Sequence, residues 1–383
     1  MNTERNFRGT ALLWNFAVTF HGRHQSQLED SSPYFNLPNV FKPPHAPLRA
    51  FTLYCLGIES TAHTFGASVV TDQGEILSDV RDVYSSKPGT GIHPREAADH
   101  HSEVAAKVVS DALIEAKVSG GQLAGVAVAL GPGLGPCLRV GATVARAIAA
   151  SFQKPLVSVN HAIGHIEIGT LTTGAVDPLV VLVSGGHTAI LAFSGGRWRV
   201  FGETEDITLG NLYDMFAREI NLSSPAGPQI EALAKKSSTF ISLPYVVKGN
   251  DVSYSGLLTA SLARLRAGAS LADICYSMQE VSCSMLAEAV ERSLAYTRKK
   301  EVLLTGGVAA NKVLQKKLCD VAALHDAISR VVAHPYTGDC GAQIAWTGML
   351  ALRSGECVPI STSRVRPRWR LEDVEVSWRR EVA

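Results

Sequence analysis

The sequence predicts an α/β protein built from two duplicated domains that face each other across a cleft. Three observations predict it. A run of strand, small polar turn, strand and third strand occurs twice, over residues 53–83 and 180–201. Each run is followed, further along, by an apolar strand entering a glycine turn and then a helix. Between the two copies lies His161-Ala162-Ile163-Gly164-His165, followed by a strand ending in Ser184-Gly185-Gly186-His187-Thr188. Duplicated meanders with crossover helices are the pattern of a two-domain α/β chain.

Composition sets the bounds. The chain has 383 residues, 46% hydrophobic and 19% charged, which suffices for two substantial cores. No uninterrupted apolar run has the length of a bilayer span. The formal net charge is +1, so only local clustering can argue for nucleic acid. Seven scattered cysteines, with no Cys-x-x-Cys, argue for a reducing compartment and against a disulfide framework or a cysteine zinc site.

Residues 1–50 carry Pro33, Pro38, Pro43, Pro44 and Pro47 with little periodicity, and read as a disordered extension outside any core. Arg5, Arg8 and Arg23 accompany apolar residues there, but no secretory core and cleavage site follow. The first domain is expected over 51–176. Strands near 53–59, 65–70 and 75–83 turn at small polar residues, the last two at Asp72-Gln73-Gly74. A helix runs over about 94–116 with Pro94 at its first position. His93, His100 and His101 in this segment are either ligands or a solvated helix face. The strand at 125–130 enters Gly131-Pro132-Gly133-Leu134-Gly135-Pro136, and an alanine-rich helix is expected over 140–150.

The second domain is expected over 177–352, its last helix returning towards the first, with a basic tail over 353–383. Its strands fall near 179–183, 189–193 and 197–201. A helix over about 210–218 presents Asp214, either to a ribose or substrate hydroxyl or to solvent. A turn at 225–228 leads into Ile230-Glu231-Ala232-Leu233, an irregular stretch follows at 247–256, and helices fill 272–299. The strand at 302–305 enters Gly306-Gly307-Val308-Ala309-Ala310-Asn311. Glycine lets such turns approach a phosphate closely, although glycine doublets also serve simply as turns.

The chemistry centres on the histidine pair. Residues four apart on a helix share a face, so His161 and His165 can clamp a metal; the plain alternative is a pair of ordinary imidazoles. Asp339, in the loop His334-Pro335-Tyr336-Thr337-Gly338-Asp339 before a helix, completes a two-histidine, one-carboxylate set suited to iron, zinc or manganese. A zinc peptidase would carry glutamate directly after the first histidine as its general base. Ala162 stands there.

These segments, together with Gly57-Ile58-Glu59-Ser60-Thr61-Ala62-His63-Thr64, resemble the universal tRNA threonylcarbamoyladenosine transferase family, specifically the archaeal and eukaryotic subunit of the KEOPS complex, over residues 53–378. The resemblance implies the actin-like, sugar-kinase and Hsp70-like ATPase fold. It implies transfer of threonylcarbamoyl from threonylcarbamoyl-AMP to N6 of the adenosine at position 37, in tRNAs reading codons that begin with adenine. It places one divalent metal, iron with zinc or manganese as alternatives, on His161, His165 and Asp339. Contacts to threonylcarbamoyl-AMP or ATP fall on Leu182, Val183, Ser184, Gly185, Gly186, Asp214, Gly227, Glu231 and Asn311. The implied partners are tRNA and KEOPS-type subunits, including a separate small kinase that is not expected to be fused to this chain. A cytoplasmic location, with no membrane, follows.

Two departures from the family pattern stand out. Leu182 replaces a tyrosine that many archaeal and eukaryotic relatives place near the metal, and His187 replaces an asparagine there. Cys340 follows the ligand aspartate where asparagine is common, which alters the hydrogen bonding expected around Asp339. The basic cluster Arg364, Arg366, Arg368, Trp369, Arg370 is either a tRNA-phosphate surface or a solvated tail. Two other functions compete: a small-molecule kinase or ATPase on the same fold, and a scaffold that binds nucleotide and partner subunits without turnover.

Overall fold

The computed structural model describes residues 52–379; the expected extension over residues 1–50 lies outside them. The first sheet comprises β1 (Tyr54–Glu59), β2 (Thr64–Thr71), β3 (Ile76–Val83), β4 (Leu123–Gly131) and β5 (Leu156–Asn160), in the order β3-β2-β1-β4-β5. The second comprises β6 (Leu179–Val183), β7 (Thr188–Ser194) and β8 (Arg197–Glu203). After a two-stranded hairpin of β9 (Val247–Lys248) and β10 (Asp251–Val252), it adds β11 (Glu301–Thr305) and β12 (Ile328–Val331), in the order β12-β11-β6-β7-β8. Taken from the other edge, the second order repeats the first. In both, three strands form an antiparallel meander and two more add in parallel beside its first strand. The duplication expected from the sequence is present down to strand direction.

The middle strands are apolar on both faces because helices or the other half cover them. Every residue of β2 and of β6 is buried. Helices α1 (Pro94–Ala116) and α2 (Gly135–Ser151) belong to the first half, and α3 (His161–Thr173) follows β5 directly. The second half holds α4 (Leu209–Glu219), α5 (Gly227–Ala234), α6 (Ser255–Arg266), α7 (Leu271–Thr297) and α8 (Lys312–Leu324). Tyr213, Phe216, Tyr254 and Met278 pack their core.

The last helix, α9 (Gly341–Arg353), leaves the second sheet and lies on the first. Glycines allow backbone to touch backbone there: a Cβ at Gly57 would fall 2.1 Å from the Ala345 nitrogen, and one at Gly348 would fall 2.2 Å from Ala127 Cβ. This close seating brings Asp339, two residues before α9, to the first half.

Several boundaries differ from the sequence reading. Helix α2 begins at Gly135 rather than near 140, because Pro136 sits in its first turn, where its missing N–H costs nothing. Residues 271–297 form one continuous helix. The stretch read as irregular contains the β9–β10 hairpin and the start of α6. The segment after α9 is woven into the fold. Arg366 N–H donates to Leu130 O (2.7 Å), Val376 N–H donates to Gly196 O (2.9 Å), and Leu371 and Val376 are buried against the Trp198 cluster. The Arg366 guanidinium stacks on Trp369, 3.2 Å from the ring centre.

Asp206 staples the loop after β8 to the start of α6. It accepts from Ile207 N (2.7 Å), Ser253 Oγ (2.6 Å), Tyr254 N (2.8 Å) and Ser255 Oγ (2.5 Å). Burial opposes ionisation, but these donors outweigh it and hold the carboxyl well below the usual carboxylate range. Asp206→Ala should cost about 1 kcal/mol after solvent screening is allowed for. Because the folded carboxyl is the stronger acid, its contribution is complete above the unfolded value near pH 4 and disappears as pH falls towards the folded one. Thermal melts of wild type and variant should therefore differ at neutral pH and converge in acid.

Among the described residues, no helix is long and apolar enough to cross a membrane.

Candidate functional site

Helix α3 carries the two histidines, and the sequence places them without ambiguity. Asn160 caps the helix, its Oδ1 accepting from Ala162 N (2.9 Å) and Ile163 N (3.4 Å), and Gly174 ends it in the left-handed region. The first nine residues, His161 through Gly169, are all buried, so both imidazoles are held in the interior. Their ring centres are 4.7 Å apart at 81°. Thr305 at the end of β11 donates to the His165 carbonyl (2.8 Å), pinning α3 to the second sheet.

Asp339 meets them from the loop before α9. Its Oδ1 lies 3.5 Å from His161 Nε2 and 3.3 Å from His165 Nε2, and one ligand atom from each of the three residues lies within 4.8 Å of the others. Both His165 nitrogens are buried and make no hydrogen bond, even though Nε2 is near the carboxylate. Orphaned imidazole nitrogens in a dry interior are costly unless something else satisfies them. With a carboxylate alongside, the donor set fits a divalent ion of the iron, zinc or manganese type.

The protonation pattern follows from the packing. Burial alone would depress His161, but Glu59 and Asp339 outweigh it and raise the imidazole to about 9. His165 is lowered, chiefly by burial. Asp339 is held well below the carboxylate range, since His161 and His165 overcome its burial. Without a cation the site is thus an imidazolium beside a carboxylate.

The partners of His161 come from helix α9 and from the Gly57–Thr64 segment, in which the sequence reading assigned no site residue. Glu59, at the end of β1 and completely buried, accepts from His161 Nδ1 at 2.8 Å through Oε2 and from Thr61 N at 2.6 Å through Oε1. Gln343 Nε2 is 3.3 Å from Glu59 Oε2, and Thr61 Oγ1 is 3.3 Å from His161 Nδ1. The carboxylate thereby fixes the tautomer that leaves His161 Nε2 free to ligate. Two signals pointed to Glu59: its place in that quoted segment, and a charged residue closing an otherwise apolar strand. Cys340 does not reach Asp339 by its thiol; Sγ points to Gln343 Oε1 (3.8 Å), and the amide nitrogen lies 3.1 Å from His161 Nδ1 and 3.3 Å from Glu59 Oε2. Leu182 is buried among Ala162, Ile163 and Ile166, so the position offers packing and no phenolate.

Of the other expected contacts, Leu182 and Val183 bury their side chains in β6, whereas Gly185 and Gly186 are exposed in the turn that follows. Ser184 Oγ organises that turn by accepting from Gly186 N (3.2 Å) and His187 N (3.0 Å). A Cβ on Gly306 would lie 2.3 Å from Val183 O, and one on Gly210 2.6 Å from Ser184 O, so only glycine lets the second turn and α4 reach the first. His187 is lowered to about 4 by burial, then by His161 and His165. Asp214 accepts from Ala226 N (2.7 Å), which sets the start of α5 and Gly227 beside it; burial raises its carboxyl. Glu231, further along α5, pairs with Lys235 (2.8 Å). Asn311 is committed to structure at both ends of its amide, capping α8 at Leu314 N (3.0 Å) and donating to Gln279 Oε1 (2.9 Å).

The chain matches the family model described as tRNA N6-adenosine threonylcarbamoyltransferase over residues 75–346. It is 54% identical to a protein of that name from Thermofilum pendens, across 85% of this chain and 97% of the relative, and 50% identical to one from Sulfurisphaera tokodaii across 85% and 98%. A Methanothermobacter thermautotrophicus protein, named as a probable bifunctional tRNA threonylcarbamoyladenosine biosynthesis protein, is 49% identical across 86% of this chain and 61% of its own. Among solved structures, HypF from T. kodakarensis is similar with a TM-score of 0.57 at 15% identity, over 79% of this chain and 48% of that one, a likeness of fold alone. With the duplicated actin-like sheets, the helical histidine pair and these matches together, the chain belongs to the tRNA N6-adenosine threonylcarbamoyltransferase family, a family of tRNA-modifying transferases.

Proposed function

We propose that this chain transfers threonylcarbamoyl from threonylcarbamoyl-AMP to N6 of the adenosine at position 37, in tRNAs reading codons that begin with adenine. The observation that carries the reading is the convergence of His161, His165 and Asp339, with both His165 nitrogens buried and making no hydrogen bond. These three residues would hold a divalent cation, iron in the first place with zinc or manganese as alternatives. When bound, the cation supplies electrostatic stabilisation of the oxygens that gain negative charge. His161 and His165 are kept in register by the helix, and Glu59 keeps the proton of His161 on Nδ1. The exposed Gly185–Gly186 turn offers backbone to the nucleotide phosphate, and Asp214 on α4, bonded to Ala226 at the start of α5, belongs to the same half, with Gly227, Glu231 and Asn311 as further candidates.

In the transfer, N6 attacks the carbamoyl carbon, a carbon–nitrogen bond forms, the bond to the phosphate oxygen breaks, and AMP leaves with the electron pair. One N6 proton passes to solvent. Among the described residues no serine or cysteine is hydrogen-bonded to a histidine ring, and the buried thiols of Cys55 and Cys283 are pushed up to about 12, so positioning and electrostatics supply the rate. The two sheets are read as domains spanning about 51–176 and 177–352. The partners are KEOPS-type subunits, including a separate small kinase; the bifunctional relative, longer than this chain, supports a second activity working alongside it. A cytoplasmic location fits such a partner set.

Reconstitution tests the reading. The chain is mixed with the upstream synthase, ATP, threonine, bicarbonate and unmodified tRNA, with and without partner subunits. Threonylcarbamoyladenosine should form when partners are present. Phosphate release without tRNA and indifference to His161 would favour a kinase or ATPase; no modified adenosine in any mixture would favour a scaffold.

A further inference from the structure

The paired histidines of α1 are not part of the metal cluster, yet they are hydrogen-bonded in an unusual way. His101 is completely buried, and its Nε2 lies 3.1 Å from the carbonyl oxygen of Ala62. Its Nδ1 lies 3.2 Å from His100 Nδ1, and His100 Nε2 lies 2.9 Å from Asp82 Oδ1. The row therefore runs from a carboxylate, through two imidazoles, to a carbonyl.

Counting protons decides its charge. A carbonyl and an ionised carboxylate only accept, so both outer contacts require an N–H on the imidazole. The central contact between two Nδ1 atoms requires one N–H and one lone pair. Three N–H groups on two rings amount to one imidazolium and one neutral imidazole. His101 is the neutral member, lowered to about 4 by burial and then by His100. The groups facing the pair agree with a single cation: Asp82 near the end of β3 and Tyr84 just after it, the latter donating to Glu96 (2.6 Å), Glu59 at the end of β1 and His63 in the turn that follows, the Phe65 ring 5.7 Å from His101, and Lys107 beyond Asp82.

Ala62 sits in the turn that serves the metal cluster. Thr61, next to it, donates its N–H to Glu59 and places Oγ1 3.3 Å from His161 Nδ1, while its carbonyl accepts from Leu134 N (2.7 Å). The carbonyl of His63 accepts from Tyr84 N (2.8 Å). We infer that His100 and His101 are positioning residues: a singly charged imidazole pair, anchored on Asp82, that holds the Glu59–His63 turn and through it the orientation of His161. When the pair loses its third proton, the carboxylate and the carbonyl keep the two remaining N–H groups, the contact between the two Nδ1 atoms is lost, and the turn is no longer tied through His100 to Asp82.

The inference deepens the metal-centre reading, so its test has one arm that needs no metal. Nitrogen-15 spectra of the histidines in the metal-free full chain should show three protonated nitrogens on His100 and His101, with His101 Nδ1 the acceptor, and the Thr61 amide should shift as the third proton is lost. In Asp82→Asn the amide can donate to His100 Nε2, so two neutral rings satisfy all three contacts and the Thr61 titration should vanish. Two protonated nitrogens in wild type, or an unchanged titration in the variant, would overturn the inference with the metal reading intact. The second arm titrates cobalt(II) as probe. His101→Phe should weaken binding about tenfold, and His101→Gln, which restores a donor near Ala62 O, should recover most of it; equal binding by all three proteins would overturn the link to His161. Wild type that binds no cobalt would overturn the metal reading itself while leaving the proton count standing.

Discussion

Asp339→Asn should abolish stoichiometric divalent-metal binding and lower the transfer rate by about a thousandfold, the rate equivalent of the several kcal/mol that a cation contributes at developing negative charge. The side chain keeps its shape and exposure, so the change is one of charge. Asparagine cannot serve as the anionic ligand, and His161 loses one of the two carboxylates that hold its imidazole up at about 9. The site therefore falls from two imidazoles and a carboxylate to two imidazoles alone. Metal content after dialysis, together with single-turnover formation of modified adenosine, checks both halves. A variant that retained wild-type turnover after chelation would show that Asp339 and any bound cation are bystanders.

The second large effect is at Glu59. Glu59→Gln is nearly isosteric and stays buried, but its amide can donate where the carboxylate accepted. An N–H pointed at His161 Nδ1 forces the ring proton onto Nε2, the nitrogen meant for the cation. The remaining amide oxygen can still accept from Thr61 N, so the fold around the turn has no reason to fail. We expect a 10- to 100-fold loss of metal affinity, with rate restored at saturating metal to the extent that the tautomer can be displaced. Equal affinity in wild type and variant, measured by competition titration, would mean that Glu59 serves packing only. Because Glu59 and Asp339 raise the His161 imidazole to about 9, metal binding should release its proton, and affinity should strengthen as pH rises towards that value.

The clearest features in the sequence were those governed by local periodicity. His161 and His165 share a helix face because they are four residues apart, and the apolar strands before Ser184-Gly185-Gly186 and Gly306-Gly307 announce themselves by continuous hydrophobicity. The duplicated meander was legible for the same reason. Other positions gave no such signal. Gln343 reads as one polar residue in an apolar helix, and only its seat on the first sheet brings it to Glu59, 284 positions earlier. His101 reads as a helix-face histidine, yet it is interior because the turn after β1 folds over it. The arginine-rich segment at 364–370 reads either as a tRNA-phosphate surface or as a solvated tail; its arginines are exposed, and only the tertiary structure shows its backbone bonding to Leu130 and to Gly133.

By itself, the sequence determined the α/β class, the repeated halves and a histidine pair ready to share a ligand, since each depends on spacings of two to four residues along the chain. The tertiary structure alone decided that Asp339 meets the pair, that Glu59 reaches His161, and that His100 and His101 line up between Asp82 and the Ala62 carbonyl. Those facts depend on strand register, on helix α9 resting backbone to backbone on the first sheet through glycines, and on which buried donors are left facing which acceptors. No local pattern encodes them, because each is a contact between segments that approach only once both halves have packed.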